Sequence, residues 1–357
     1  MDGSPDSVDW LARTAELVDI ASPSLEEGPL ADHVEARLRP IPWLTVDRVG
    51  DNVVARTDLG RAQRLVLAGH LDTVPANGNE RARIDGDTLW GLGSADMKSG
   101  LAVFLDLACT VDAPTVDVTY LFYVAEEISA EHSGLLQLLE ERPDLVAGSA
   151  AVLGEPTDGT LEAGCQGTAR IRITLRGARA HTARPWMGRN AIHRAGRVLA
   201  RIDAHEPRSP TIDGCTYREA VQAVFVEGGV AGNVVPDVAV LTVNLRIAPD
   251  RTVAHGVDAF RAVIGDEIEA DDGFEVVDAA DPAPPSLTHP LLTRLVDEGL
   301  DVRAKLGWTD VARFAAAGIP AVNLGPGDAT VAHTADEHVH RDSIERVHAV
   351  LHRLLTT

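Results

Sequence analysis

Apolar residues fall at helical spacing at Val8, Leu11, Ala15 and Val18, which predicts a helix over 7–20; a Ser-Pro-Ser turn separates it from a second helix over 30–38. Strand-like runs come next at 53–56, 64–68, 116–124, 150–153 and 321–324. The third and fourth are almost unbroken apolar stretches, the pattern of strands covered on both faces. Between them, 99–109 and 133–139 return to helical periodicity. The alternation predicts an α/β fold, with a central sheet covered by helices.

The texture changes between 167 and 283. Here the pattern predicts a strand at 169–175, a helix at 189–202, strands at 221–226 and 238–247, a helix at 252–268 and a strand at 274–277. That order, β-α-β-β-α-β, is the signature of a split βαβ, ferredoxin-like module of α+β type. The segment DPAPPS at 281–286 reads as a return linker, after which 291–299 and the strand near Val322 rejoin the α/β core. The expected organisation is therefore a catalytic domain made of 1–166 and 284–357, interrupted by an inserted domain at 167–283. A module of this kind leaves sheet edges that pair readily with a second copy, so the insertion is expected to form a homodimer.

Charge narrows the range of partners. The 357 residues carry 54 acids against 32 bases, a net charge of −22, and such a surface repels phosphate backbones and anionic headgroups. A nucleic-acid partner is excluded, and with no apolar run of membrane-spanning length no membrane partner is expected. The opening MDGSPDSVDWLARTAELVDI lacks the features of a signal peptide. Cys109, Cys165 and Cys215 lie far apart with no CxxC spacing, which argues against a disulfide framework and a cysteine zinc knuckle and favours the cytoplasm.

The candidate chemistry lies where the strands end. The run 65–68 leads into His70 and Asp72, the run 118–124 into Glu126 and Glu127, and the run 152–153 into Glu155; 322–324 leads through Gly325-Pro326-Gly327 toward His333. Open α/β sheets build their sites beyond the carboxyl ends of their strands. Asp96, in the loop GLGSADMKSG, adds a further carboxylate directly before a helix. Imidazoles and carboxylates without a thiol suit Zn²⁺, with Mn²⁺ or Co²⁺ as substitutes. Two carboxylates closing an apolar run such as VTYLFYVA would be costly without partners. Gly91-Leu92-Gly93 lacks the strand and third glycine of a dinucleotide loop, and Lys98 lacks the rest of a phosphate loop.

Six segments in order carry a resemblance: His70-Leu-Asp72-Thr-Val-Pro, Gly91-Leu-Gly93-Ser-Ala-Asp96-Met-Lys98, Ala125-Glu126-Glu127, Gly154-Glu155-Pro156-Thr157, Arg176-Gly-Ala-Arg-Ala-His181, and Gly325-Pro-Gly with His333. Together they resemble the co-catalytic zinc amidohydrolases that include aminoacylase, acetylornithine deacetylase and glutamate carboxypeptidase. Within that superfamily, Gly164-Cys-Gln-Gly167-Thr168, Asp213-Gly-Cys-Thr-Tyr-Arg218 and Gly307-Trp308-Thr309-Asp310-Val-Ala-Arg313-Phe314 look like the actinobacterial succinyl-diaminopimelate desuccinylases. The resemblance implies a metal-dependent amide hydrolase that releases succinate from N-succinyl-LL-2,6-diaminopimelate on the route to lysine and cell-wall precursors. The alternatives within the superfamily are an acetylornithine deacetylase, an aminoacylase or a dipeptidase-like enzyme.

By the same resemblance, two Zn²⁺ per subunit, replaceable by Co²⁺ or Mn²⁺, would be bridged by Asp96, with His70 and Glu155 completing one site and Glu127 and His333 the other. A carboxylate can span the roughly 3.5 to 4 Å of a two-metal hydrolytic site. Asp72 is placed to accept the second ring N–H of His70 and fix its tautomer. Glu126 would be the general base. His181 would serve the partner subunit's site as an oxyanion donor, and Asn233 would bind substrate. The sequence departs from the proteobacterial desuccinylases at Cys165-Gln166, where those enzymes carry an arginine pair. The loop before His333 is also about one residue longer and lacks their asparagine. Thr309 and the guanidinium of Arg246, Arg313 or Arg218 are the candidates for holding the acyl amino-acid substrate and its carboxylates.

Overall fold

The computed structural model describes residues 8–357; Ser7, where the first predicted helix begins, lies outside the described residues. The chain divides into two compact units. Among the described residues the first comprises 8–163, 286–303 and 313–357, and the second comprises 164–285 and 304–312. Residues 304–312, expected with the first part of the chain, cluster with the second unit instead.

In the first unit the opening helix runs over Trp10–Val18, where Asp9 accepts the Ala12 amide as N-cap, and the second over Gly28–Leu38. Both turn apolar faces inward onto the helix Ser99–Thr110, whose residues from Ser99 to Ala108 are all buried. That burial is why its pattern is apolar on every side rather than amphipathic. Beneath lies an eight-stranded sheet in the order Thr45–Val49, Asn52–Arg56, Asp117–Tyr123, Arg64–His70, Ala150–Leu153, Ala321–Asn323, Leu161–Ala163 and Val302–Ala304. Its four central strands are parallel. Register sets His70 opposite Tyr123, Ala68 opposite Leu153, and Leu153 opposite Asn323, so four carboxyl ends emerge on one edge of the sheet. Four strands predicted from apolar runs thus form the platform for the candidate residues. A small three-stranded sheet, His338–His340 with Thr88–Trp90 and Arg83–Asp85, has no counterpart in the sequence pattern because its strands are three residues long and largely polar.

The second unit is α+β. Its antiparallel sheet runs Ala220–Gly228, Val238–Ile247, Gly167–Arg176, Gly273–Ala280, and the helices Ala191–Asp203 and Val253–Ile264 pack on the face carrying Ile171, Ile173, Leu241 and Val243. Strict alternation of buried and half-exposed residues along Val238–Ile247 reflects that one covered face. The helix expected over 252–268 begins one residue later, behind its Thr252 cap, and stops at Gly265, whose φ of 55° closes it. A buried Arg194 is met by both oxygens of Asp272, at 2.7 and 2.6 Å. No helix among the described residues is long and apolar enough to cross a membrane.

Candidate active site

His70 ends its strand fully enclosed, at 1% exposure. Its Nδ1 lies 3.0 Å from the Asp72 carbonyl and 3.5 Å from the Asp72 carboxylate, while Nε2 is 3.1 Å from Asp96 Oδ1. The nearer acceptor for the ring N–H is therefore the Asp72 backbone, with its side chain close behind. A proton held on Nδ1 by these acceptors would free Nε2, on the Asp96 side of the ring, to ligate a metal.

The Asp72 carboxylate has a second task. Its Oδ1 accepts the Glu126 amide at 3.0 Å, and its Oδ2 accepts the Glu127 amide at 3.1 Å and the Ser24 hydroxyl at 2.7 Å. Burial pushes this carboxyl up, but His70, the Glu126 amide and Ser24 outweigh it and hold its pKa at about 2. Just upstream, Ala125 takes a left-handed φ of 58°, and its amide is held at 3.0 Å by the buried Glu27. Two carboxylates from elsewhere in the chain thus fix three consecutive amides of the turn that presents Glu126 and Glu127.

Asp96 stands between the two imidazoles. Its Oδ1 faces His70, and its Oδ2 lies 3.5 Å from His333 Nε2, which is also 2.8 Å from Glu127 Oε1. Burial opposes ionisation of Asp96, yet His333 and His70 together lower its pKa. In return Asp96 and Glu127 raise His333 to about 10. Ligand atoms of His70, Asp96 and Glu127 all lie within 4.8 Å of one another. Donors of nitrogen and carboxylate oxygen at this spacing fit a divalent metal ion, and each oxygen of the Asp96 carboxylate is aimed at a different histidine. The other close acidic group among the described residues, Glu269, Asp271 and Asp272, is engaged by Arg189 and Arg194.

Glu155 lies just beyond the strand Ala150–Leu153 and is 6% exposed. Here two strand ends touch: a Cβ at Gly325 would fall 2.1 Å from the Gly154 carbonyl, and one at Gly154 would fall 2.6 Å from Met97 Cε. At Gly325 the clash is with backbone, so only glycine fits there, while a side chain at Gly154 would have to displace Met97 and Phe104. The Thr157 hydroxyl bridges the same pair of loops through the Gly325 carbonyl and amide, both at 3.2 Å.

Of the expected substrate residues, Arg313 belongs to this unit and its guanidinium donates to the Ser133 hydroxyl. Ser133 adjoins Gly134, whose amide bonds the Val124 carbonyl, so Arg313 reaches the loop that carries Glu126 and Glu127. His181, Asn233, Arg246 and Thr309 belong to the second unit. There the Thr182 amide donates to the Asn233 carbonyl at 3.0 Å and His181 bridges Val234, so the exposed His181 and Asn233 sit on adjoining strips of backbone. Arg246 is half-buried on its strand, and burial and Arg170 lower its pKa. Thr309 is buried, its carbonyl accepting the Cys165 thiol at 3.8 Å.

Two residues are not legible as site residues in the sequence. Glu27 closes SPSLEE, a surface-like acidic pair, and Glu337 sits in the polar HTADEHVH. Both are at most 2% exposed and grip backbone amides at the site. An acid four residues beyond a candidate ligand is the only local signal for Glu337.

The chain is similar along nearly its whole length to known proteins. A Mycobacterium tuberculosis protein provisionally named succinyl-diaminopimelate desuccinylase DapE is 50% identical over 97% of this chain and 98% of its own. A Corynebacterium glutamicum succinyl-diaminopimelate desuccinylase is 42% identical over 98% of this chain and 96% of its own. Among solved structures, a Staphylococcus aureus tripeptidase superposes with a TM-score of 0.79 at 20% identity, covering 97% of this chain and 96% of that one. Bacillus subtilis YxeP, described as a dinuclear metal-binding peptidase, superposes with a TM-score of 0.69 at 16% identity, with 97% and 96% covered. These two share the fold. The model of peptidase family M20/M25/M40 matches residues 66–357, a span that begins within the strand leading to His70 and takes in every candidate ligand, and the chain belongs to that family.

Proposed function

We propose that this protein is a cytoplasmic, metal-dependent amide hydrolase that removes succinate from N-succinyl-LL-2,6-diaminopimelate. The observation that carries the hydrolytic part is the Asp96 carboxylate set between His70 and His333 beside the Glu126-Glu127 turn. The substrate rests on the two desuccinylases matched along nearly the whole chain.

In this reading His70, Asp96, Glu127, Glu155 and His333 hold two Zn²⁺, for which Co²⁺ or Mn²⁺ substitute. When bound, the metal pair supplies Lewis acidity toward the amide carbonyl and eases deprotonation of the attacking water. Glu126 accepts that water's proton on its carboxylate and returns it to the departing amine nitrogen. Asp72 keeps the Nδ1 proton on His70 and holds the amides of Glu126 and Glu127, so base and ligand move as one piece. The residues 167–283 act as a lid and dimerisation domain, in which His181 stabilises the developing oxyanion of the partner subunit's site. Asn233, Arg246, Thr309 and Arg313 bind the substrate, arginine being suited to its carboxylates.

Amine release from succinylated and acetylated diamino acids, monitored with added Zn²⁺, tests the assignment. Faster turnover of the succinylated substrate is expected. Preference for the acetylated one would instead favour another member of the superfamily, an acetylornithine deacetylase, an aminoacylase or a dipeptidase-like enzyme.

A further inference from the structure

We infer that Glu337 is the positioning residue for Asp96: it ties the segment carrying His333 to the loop carrying Asp96, and so sets how these two ligands face each other. The inference rests on the metal-centre reading above.

Glu337 is 1% exposed. Its Oε1 accepts the amides of Ala95 and Asp96, each at 3.0 Å. Its own carbonyl accepts the Gly91 amide at 3.1 Å. One residue thus gathers three amides of the stretch 91–96. That stretch cannot organise itself as a regular helix: Gly93 has a φ of 77°, and Asp96 and Met97 have non-helical dihedrals. Without an outside acceptor, buried amides of this loop would lose their hydrogen bonds.

The other end of the tie is equally restrained. The Glu337 amide donates to the Thr334 carbonyl at 3.3 Å, and the same carbonyl accepts Asn79 Nδ2 at 3.1 Å. His333 immediately precedes Thr334 and carries its own left-handed φ of 62°. Lys98, 2% exposed with its Nζ donating to the Ile20 carbonyl at 2.7 Å, supplies a positive charge to the same pocket. The arrangement parallels Asp72: each metal-facing turn is held through its amides by a buried carboxylate from a distant part of the chain. Partners of this kind, acting behind the ligands, typically change metal affinity 10–100-fold.

The test uses the full chain stripped of metal by chelation and titrated with Co²⁺ alone, read by visible absorption, for wild type, Glu337→Ala and Glu337→Gln. Amide exchange of residues 91–98 is measured on the same metal-free samples by mass spectrometry. Glu337→Ala is expected to bind at least one Co²⁺ about 10–100-fold more weakly, to exchange the 93–96 amides faster, and to lose kcat with little change in KM. Glu337→Gln can keep one oxygen on the Ala95 and Asp96 amides but loses the charge that strengthens both bonds, and should fall between. Folded variants that match wild type within twofold in Co²⁺ affinity and in 93–96 exchange overturn the inference, even if their melting temperature drops. Should Glu337→Ala fail to fold, the same criteria applied to Glu337→Gln decide. If wild type itself binds no Co²⁺ the metal reading fails, and the exchange data still decide whether Glu337 holds the loop.

Discussion

Replacing Asp72 by Asn separates the positioning of the Glu126-Glu127 turn from its chemistry. The wild-type carboxylate is fully enclosed and accepts three hydrogen bonds, from the Glu126 amide, the Glu127 amide and the Ser24 hydroxyl. Asparagine keeps one oxygen, which can continue to serve Glu126. Its NH₂ then points at the Glu127 amide and Ser24. The hydroxyl can rotate to accept, but a backbone amide cannot. One buried N–H is left without an acceptor, at about 1–3 kcal/mol, and the bond that survives loses its charge-assisted component. The expected destabilisation is about 2–4 kcal/mol in urea melts. The larger effect falls on turnover. A turn displaced by about 1 Å carries the base and a ligand out of line and costs about 100-fold in kcat. KM should change little, since Asp72 has no path to the substrate. A variant that keeps kcat within threefold of wild type, or melts within about 0.5 kcal/mol of it, would show that the turn holds its shape without the carboxylate.

The same geometry sets expectations for other variants. Glu126→Gln should retain its metal by elemental analysis yet lose about 10²–10⁴-fold in kcat, and near-normal turnover would remove Glu126 from the role of base. Asp96→Ala should lose or scramble both ions, and two metals per chain in the purified variant would refute the bridging role. Burial raises the carboxyl of Asp106, but His348 at 2.8 Å and Arg13 outweigh it and lower its pKa. Its stabilising contribution is then present above about pH 4 and fades as pH falls through the depressed value, so the melting-temperature gap between wild type and Asp106→Asn should narrow from pH 7 toward pH 3.5; a constant gap contradicts this. Mixing inactive Glu126→Gln and His181→Ala subunits should restore activity, because about half of randomly re-paired dimers are heterodimers with one intact composite site. No recovery despite proven exchange would confine His181 to its own chain.

Much of the scaffold is legible in residue order because it rests on local periodicity. Apolar runs at 64–68, 116–124, 150–153 and 321–324 declare buried strands, and the residues just beyond them are candidates because a sheet delivers the carboxyl ends of its parallel strands to one edge. The inserted β-α-β-β-α-β pattern is legible for the same reason: amphipathic periods of two and 3.6 alternate there without ambiguity. Helix ends are less so, since Gly265 terminates a helix whose apolar pattern continues to Ile268.

Other features depend on contacts that no window along the chain contains. Ala95 and Glu337 are 242 positions apart, and Glu27 meets Ala125 across 98. The strands Arg83–Asp85 and His338–His340 are too short to declare themselves and exist because each pairs with Thr88–Trp90. Periodicity reports which face of an element is buried. It carries no information about which distant amide a buried carboxylate will meet. Here those pairings aim one oxygen of Asp96 at His70 and the other at His333, because backbone amides in an irregular loop take whichever acceptor the completed fold brings to them.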